Sequence, residues 1–434
     1  MPFIKKKIAF AITLILGLAS VQHALARGDI EPDSEWITRT PVGGYPAQPE
    51  PSHDFHFADH ATTHNGQSIA RVLDHALDTL LASGELNEWE EYEVENFARE
   101  LGNLQPGRLG AFLEQLAGSQ NANLAAATQN SQKALNNSLL SAMRQLSDTH
   151  NTGDAPRVWL QGLVNSGKLD GQHGGLGLRQ HTQGLVLGTD WAVDHAWRVG
   201  VLGAKSASDL SANRFNGTLD SWHLGGYAVR QDGPLALRLG AIHSSHAGEN
   251  RRSVDFNLVD YREQLSGKYS AQSQNTFAEL GYQLGTDGFS AEPFGGLGYQ
   301  RYHRGRYQEK GGINALNVDK QTQQNLSSTF GVRLASAYTL DGQMVLKPHL
   351  STSWKHLYGD VGSRVRQSSA RVKRPGFNSN FTIEGASLDR DSVAIHTGLD
   401  LALSKRHTVG LAYTAEFASS SRNQGLTGQW TLAF

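Results

Sequence analysis

The 434-residue chain contains no cysteine, which removes disulfides, thiolate metal sites and cysteine nucleophiles from consideration. It has no excess of one charge either. Its 39 Lys and Arg against 41 Asp and Glu leave a net charge of −2, and a pI near 6.8 gives no basic footprint for nucleic acid. Long apolar runs are also missing. Mean hydropathy is −0.42, and beyond the N-terminus no stretch reaches the roughly 20 apolar residues a membrane helix needs. That excludes a helical membrane bundle, but not a membrane crossed by strands, whose alternating residues average to a polar composition. Gly-x-Ser-x-Gly, Gly-Asp-Ser and His-Glu-x-x-His are absent, as is any repeat of β-helix period, so no catalytic activity and no cofactor is expected.

The two ends are informative. Lys5, Lys6 and Lys7 precede an apolar core from Ile8 to Leu18, and Ala24-Leu25-Ala26 fits a cleavage site. This predicts a signal peptide over residues 1–26, cut after Ala26, and hence export. At the other end, Trp430, Leu432 and Phe434 alternate with polar residues and finish on an aromatic, the signature by which outer-membrane barrels are recognised for insertion.

Between Arg157 and Phe434, period-2 patterns predict strands near 157–168, 182–193, 196–207, 219–231, 234–246, 271–285 and 288–302. Others follow around Phe330, over 344–354 and 393–403, around Val409–Phe417, and over the C-terminal residues. The fold class is therefore an all-β transmembrane barrel, with residues 151–434 as its domain and twelve antiparallel strands, an even number as bacterial barrels have. Asp194-His195, Asp232-Gly233, Asp287-Gly288, Asp341-Gly342 and Lys405-Arg406 read as tight turns. The stretches 247–270, 303–323 and 357–390 read as long polar connections. Short turns on one rim and long loops on the other place the short rim in the periplasm. The alternation turns Asp190, Arg238, Glu279, Arg333, Lys347, Asp400 and Glu416 toward a wet lumen, because charge facing lipid is costly. Trp191, Trp197, Tyr282, Tyr299, Trp354, Tyr413 and Trp430 are candidates for interfacial girdles.

This half resembles the translocator β-domain of autotransporters (type V secretion). The resemblance runs in order through Glu292-Pro293-Phe294 to Tyr299, Tyr307, Glu309, Gly311, Thr329 to Arg333, Pro348 to Trp354, His356, Phe381 to Ala386, Gly398-Leu399, and Tyr413 to Phe434. It implies an outer-membrane location, a pore plugged by a helix, lipid as surroundings, and the barrel-assembly machinery and periplasmic chaperones as partners of a monomeric barrel. The stretch from Asn121 to about Ser147 suits the helix: it has no Pro or Gly and spans roughly 40 Å. Residues 121–150 are thus expected to be pore helix and linker. One autotransporter subgroup cuts between two Asn residues inside the barrel. Asn136-Asn137 is the corresponding candidate, although Ser138 stands where that subgroup has Leu.

The remainder is plain. Residues 27–65 form a Pro- and His-rich segment expected to be extended, with its prolines gathered between Pro32 and Pro51. Spacing would line His53, His56, His60 and His64 along one helical face as candidate ligands for Zn²⁺ or Cu²⁺, though Phe55 and Phe57 favour an irregular stretch. Residues 66–120 turn helical, with a stripe of Ile69, Val72, Leu73, Ala76, Leu77 and Leu80 continued by Val94, Phe97, Leu101, Leu109, Phe112, Leu113 and Leu116. This region is read as a small passenger remnant or a barrel cap, exposed outside the cell. The leading function is translocation or display of this N-terminal segment. One alternative is an adhesive surface barrel, whose long loops and acidic run from Glu85 to Glu100 would bind a host or cell-surface ligand; Arg27-Gly28-Asp29, after the expected cut, is a separate tripeptide of a kind that can bind integrins and that also occurs often by chance. The other is a rim hydrolase using His243, Ser244, Ser245 and His246.

Overall fold

The computed structural model describes residues 55–434, apart from 85, 105–106, 148–154, 173–174, 257–260, 287, 341–343 and 372–376. The basic and apolar N-terminus, the cut at Ala26, the proline cluster, Arg27-Gly28-Asp29 and His53 lie outside the described residues. So do Asp287, Asp341 and Gly342 of the expected turns.

Twelve strands wrap into one closed antiparallel barrel. They are β1 (Arg157–Leu169), β2 (Leu178–Ala192), β3 (Trp197–Ala212), β4 (Phe215–Asp232), β5 (Leu235–Phe256), β6 (Tyr261–Tyr282), β7 (Phe289–Arg304), β8 (Gln321–Ser336), β9 (Val345–Gly359), β10 (Asp391–Ala402), β11 (His407–Ala418) and β12 (Ser421–Ala433). Each pairs with the next. β1 then pairs with β12 from Arg157↔Ala433 to Leu169↔Ser421, so no barrel edge is left with unpaired backbone groups, as an apolar surround demands. At one rim the turns are short. Gly233 adopts φ +56° in the two-residue link before Leu235, one position later than the expected Asp232-Gly233 turn. Asp194 closes another turn by accepting from Ala196 N and Trp197 N at 2.8 Å, and these bonds hold its carboxyl below the usual range.

Outward side chains in the half next to the short turns are mostly apolar and exposed, among them Leu185, Leu187, Leu224, Leu297, Phe330, Ile395, Leu411 and Leu426, with Lys205 and His243 as outward polar exceptions. Ten strand residues, tilted about 40°, span roughly 25 Å of membrane. Beyond that height the polarity inverts. On β4, Asn216, Thr218 and Asp220 face outward while Phe215 and Leu219 are buried inside. Stretch 247–270 is accordingly not a loop, because β5 and β6 continue paired up to Phe256↔Tyr261. Stretches 303–323 and 357–390 likewise carry short strands, Tyr307–Lys310, Leu316–Val318, Ser363–Ser369 and Phe381–Gly385. The membrane-type pattern ends where the strands do not.

Inside this taller rim sit α1 (His64–Leu81), α2 (Glu88–Gly102) and α3 (Arg108–Ala117), preceded by a 3₁₀ turn at Phe57–His60. Structure thus begins earlier than the expected boundary at residue 66. The Thr63 side chain caps α1 by accepting from Gly66 N at 2.9 Å. The apolar stripe of α1 and α3 joins Leu178, Leu210, Phe215, Leu265, Leu316 and Phe381 in one core. A final helix, α4 (Gln120–Ser147), runs down the lumen, about 42 Å long at 1.5 Å per residue.

Candidate functional site

The lumen is a set of polar layers between α4 and the wall. Near the short-turn rim, Asp190 is fully buried. It accepts from Arg157 Nε and Nη2 at 3.1 and 2.9 Å, from Arg198 Nη2 at 3.1 Å and from Tyr227 Oη at 2.7 Å. Arg157 also donates to the Ala142 carbonyl of α4 at 2.9 Å, which ties the end of the helix to the start of the barrel.

The next layer joins Arg144 of α4 to Glu279 at 2.9 Å. Arg238 bridges Glu279 and Glu292 at 3.2 and 2.6 Å, and Arg333 reaches Glu292 at 2.8 Å. Three guanidiniums share two carboxylates, and Arg333 also lies 5.0 Å over the Phe294 ring. Beside them Asp400 accepts from Gln145 at 3.0 Å and from Gln429, with Lys347 in register across the β9–β10 pair. Higher up, Lys133 pairs with Glu416 at 3.0 Å. Gln132 accepts from Asn275 at 2.9 Å and contacts His246, which Ser221 meets at 2.7 Å. At the tall rim Asn121 donates to Glu309 and Gln367 and accepts from Asn250. A helix polar on most sides is stable here because nearly every layer of the wall answers it.

The seven charged lumen candidates therefore sit on inward positions in three neighbouring clusters and one higher pair. Glu292, Arg157, Arg198 and Tyr227 were missed. Glu292 shares its alternation phase with buried Phe294, which was the available signal.

The helix lies against β1–β5, where Leu135, Leu139 and Met143 pack on Trp159, Val186, Leu202 and Ile242. On the opposite side remains a cavity of about 190 Å³, whose lining includes Asn136, Asn137, Lys133, Lys355, Arg144 and Glu416. Asn136 Oδ1 is buried there without a hydrogen-bond partner among the described residues. Trp430 and Phe434 point outward and exposed, and Phe434 N donates to Pro156 O at 3.1 Å, so the last residue meets the first strand.

The histidine reading needs correction. His56 precedes the 3₁₀ turn, His60 ends it, and His64 opens α1 after the non-helical Ala61–Thr63, so the three do not line one helical face. His60 stacks on Phe55 at 5.3 Å. Among the described residues no group of three or more His, Asp or Glu side chains is placed to hold a metal. His243, Ser244, Ser245 and His246 are divided by the wall: Ser244 and His246 are buried in the lumen, while His243 and Ser245 face out.

The helical cap is bolted to the rim by buried Asn65. It donates to Glu384 O at 2.8 Å and Ser119 Oγ at 3.0 Å, and accepts from Glu384 N at 2.8 Å. Gly385 lets the start of α4 approach this strand, since a Cβ would stand 2.8 Å from the Ala122 carbonyl carbon. Asn65→Leu is expected to weaken cap docking by about 2–3 kcal/mol through unpaired buried backbone groups, read as faster proteolysis within α1–α3. Glu114 adds a pH dependence. Burial pushes its carboxyl above the ordinary 4.5, against hydrogen bonds from Ser119 and Thr63. Asp74 is raised by burial in the same way. The folded state thus binds these protons more tightly, so docking is firmest near pH 4.5 and below and loosens as pH rises through the raised values. Glu114→Gln should flatten this dependence, as measured by protease sensitivity from pH 4.5 to 7.5.

Comparison with known proteins gives the barrel its place. A family model described as autotransporter beta-domain matches residues 158–414. Two extracellular serine proteases of Serratia marcescens are 28% and 27% identical to the chain, over 75% and 86% of it. The chain spans only about a third of their length, 31% and 38%. Among solved structures, the translocator domain of autotransporter NalP from Neisseria meningitidis aligns with a TM-score of 0.55 at 16% identity, covering 72% of this chain and 99% of that one. With a closed twelve-stranded wall, a helix in its lumen and a family match over most of the barrel, this chain belongs to the autotransporter family and is an outer-membrane barrel of the translocator type.

Proposed function

We propose that the barrel carries its own N-terminal segment to the cell surface, with the short-turn rim in the periplasm and the tall rim, with its helical cap, outside. One observation carries this reading. The single segment α4 connects the cap at the tall rim to β1 at the short-turn rim through the lumen, so the described residues of the cap lie at the opposite mouth of a closed wall from the point where the barrel begins. A chain tethered in this way reaches that arrangement by passing its N-terminal part through the pore, after which the helix fills it. The cap then closes the outer mouth.

Residues 1–26 serve in this reading as the export signal removed after Ala26. Trp430, Leu432 and Phe434 present the terminal strand to the insertion machinery after periplasmic chaperones release it. The barrel is monomeric and the chain itself carries no catalytic site. Protease shaving of intact cells tests the display. Peptides from residues 27–118 should appear in the medium, and their protection while the tall rim is cut would sink it.

Asn136 and Asn137 support a second reading, because they line the cavity and Asn136 Oδ1 has no hydrogen-bond partner among the described residues. Scission there would leave a barrel beginning at Asn137. With Ser138 following, a chain running from residue 27 and intact at Asn136-Asn137 is the expected mass for protein isolated from outer membranes, and a fragment beginning at Asn137 would establish scission.

A further inference from the structure

We propose that the closure seam of the barrel holds a phosphorylated glycolipid of the outer leaflet. The inference rests on the orientation given above, tall rim outside. Lys168 of β1 is in register with Arg422 of β12 on one side and with Arg179 of β2 on the other. All three face outward and are exposed. Strands about 4.8 Å apart put the row within roughly 10 Å, and like charges directly opposite one another on a sheet destabilise it. Compensation is incomplete. Lys168 has Asp170 at 2.5 Å, while Arg179 and Arg422 have no ion pair within 4 Å among the described residues.

The height is that of a headgroup. Phe417, outward and exposed on β11, is in register with Arg422 and marks the upper limit of the apolar band. One outward step below the cations lie Gln424, Ser166 and His181, the last two 3.2 Å apart. One step further down, Leu426 and Val164 begin the lipid-facing wall. Below them Gly162 and Gly428 are paired on the outer face. A Cβ at either would meet nothing within 4 Å, so packing does not demand glycine there. The pair leaves a notch flanked by Leu185 and Leu411. Cations, then hydrogen-bonding groups, then an apolar notch repeat the order of phosphate, sugar and acyl chain in such a lipid.

The test uses the full chain extracted from outer membranes in mild detergent, with bound lipid counted by native mass spectrometry. Lipid A should be retained. Its affinity should fall about a hundredfold in Lys168→Gln/Arg179→Gln/Arg422→Gln, since each cation near a charged surface contributes about a fivefold factor. Gly162→Leu, which fills the notch without touching the charge, should weaken retention as well. Heat-modifiable mobility verifies that each variant is folded. Equal retention by the triple variant, equal binding of dephosphorylated lipid A, or full displacement by inorganic phosphate would overturn the proposal. Protease access to the tall rim on intact cells separates the two readings. Cutting there without lipid retention defeats the lipid site alone, whereas cutting only after permeabilisation defeats the orientation and the lipid site with it.

Discussion

Asp190→Ala is expected to destabilise the barrel by about 3–5 kcal/mol, the cost of leaving buried partners of a broken ion cluster unpaired. Asp190 is fully buried, Arg157 is 6% exposed, and both Arg157 and Arg198 aim at the one carboxylate. Without it, the Arg157 guanidinium is left against the Ala142 carbonyl, and Arg198 loses both of its bonds to that carboxylate while keeping the Ala155 carbonyl. Tyr227 loses its acceptor while Trp159 still donates to its hydroxyl at 2.7 Å. The loss falls on the joint between α4 and β1, so helix retention and wall stability should decline together. Urea unfolding in micelles, followed by tryptophan fluorescence, measures it. The exposed Arg230–Asp232 pair, also at 2.9 Å, supplies the control: Asp232→Ala should cost no more than about 0.5 kcal/mol. Comparable losses at the two sites would show that burial does not set the value of the Asp190 cluster.

That joint also illustrates what the sequence makes legible. Strand alternation revealed Asp190 as an inward residue, because lipid on one face and a wet lumen on the other impose opposite polarity at successive positions. The same logic covered the membrane half of the strands, whereas the pore helix was legible from a stretch without Pro or Gly and from the family resemblance, its expected start at Asn121 lying one residue from Gln120. It failed above the membrane band, where Phe215, Leu219, Val254 and Leu265 turn inward to meet the cap. Apolar-in and polar-out there no longer signals a membrane strand, and the tops of β4 to β6 looked like loops. Partnership was not legible at all. Lys133 and Glu416 are 283 positions apart, and no local pattern announces that a helix and the eleventh strand will meet. The histidines failed for the opposite reason: their spacing is helical, but capping at Thr63 starts the helix too late to include them all.

Removal of the cap and helix together, residues 55–147, should convert the closed barrel into a channel about 10 Å wide, the diameter of the helix withdrawn. The strand ladders do not depend on α4, since each strand pairs with its neighbours and β1 with β12. The wall should therefore persist, with Arg238, Glu279, Arg333 and Glu292 still mutually paired and hydrated. Some stability is lost where Trp159, Val186, Leu202 and Ile242 lose Leu135, Leu139 and Met143, which should appear as a lower unfolding temperature. Planar bilayers would show steady openings for the shortened barrel and a closed baseline for the full chain, and polymers wider than about 10 Å would be excluded. Arg144→Glu probes the same plug more gently. It turns three guanidiniums facing two carboxylates into two facing three, placing a third acid beside Glu279 and Glu292. The lower half of the helix should then detach intermittently, giving brief openings while Lys133–Glu416 and the Asn121 contacts hold the upper half. A full chain that conducts as freely as the shortened one would mean that α4 does not close the pore.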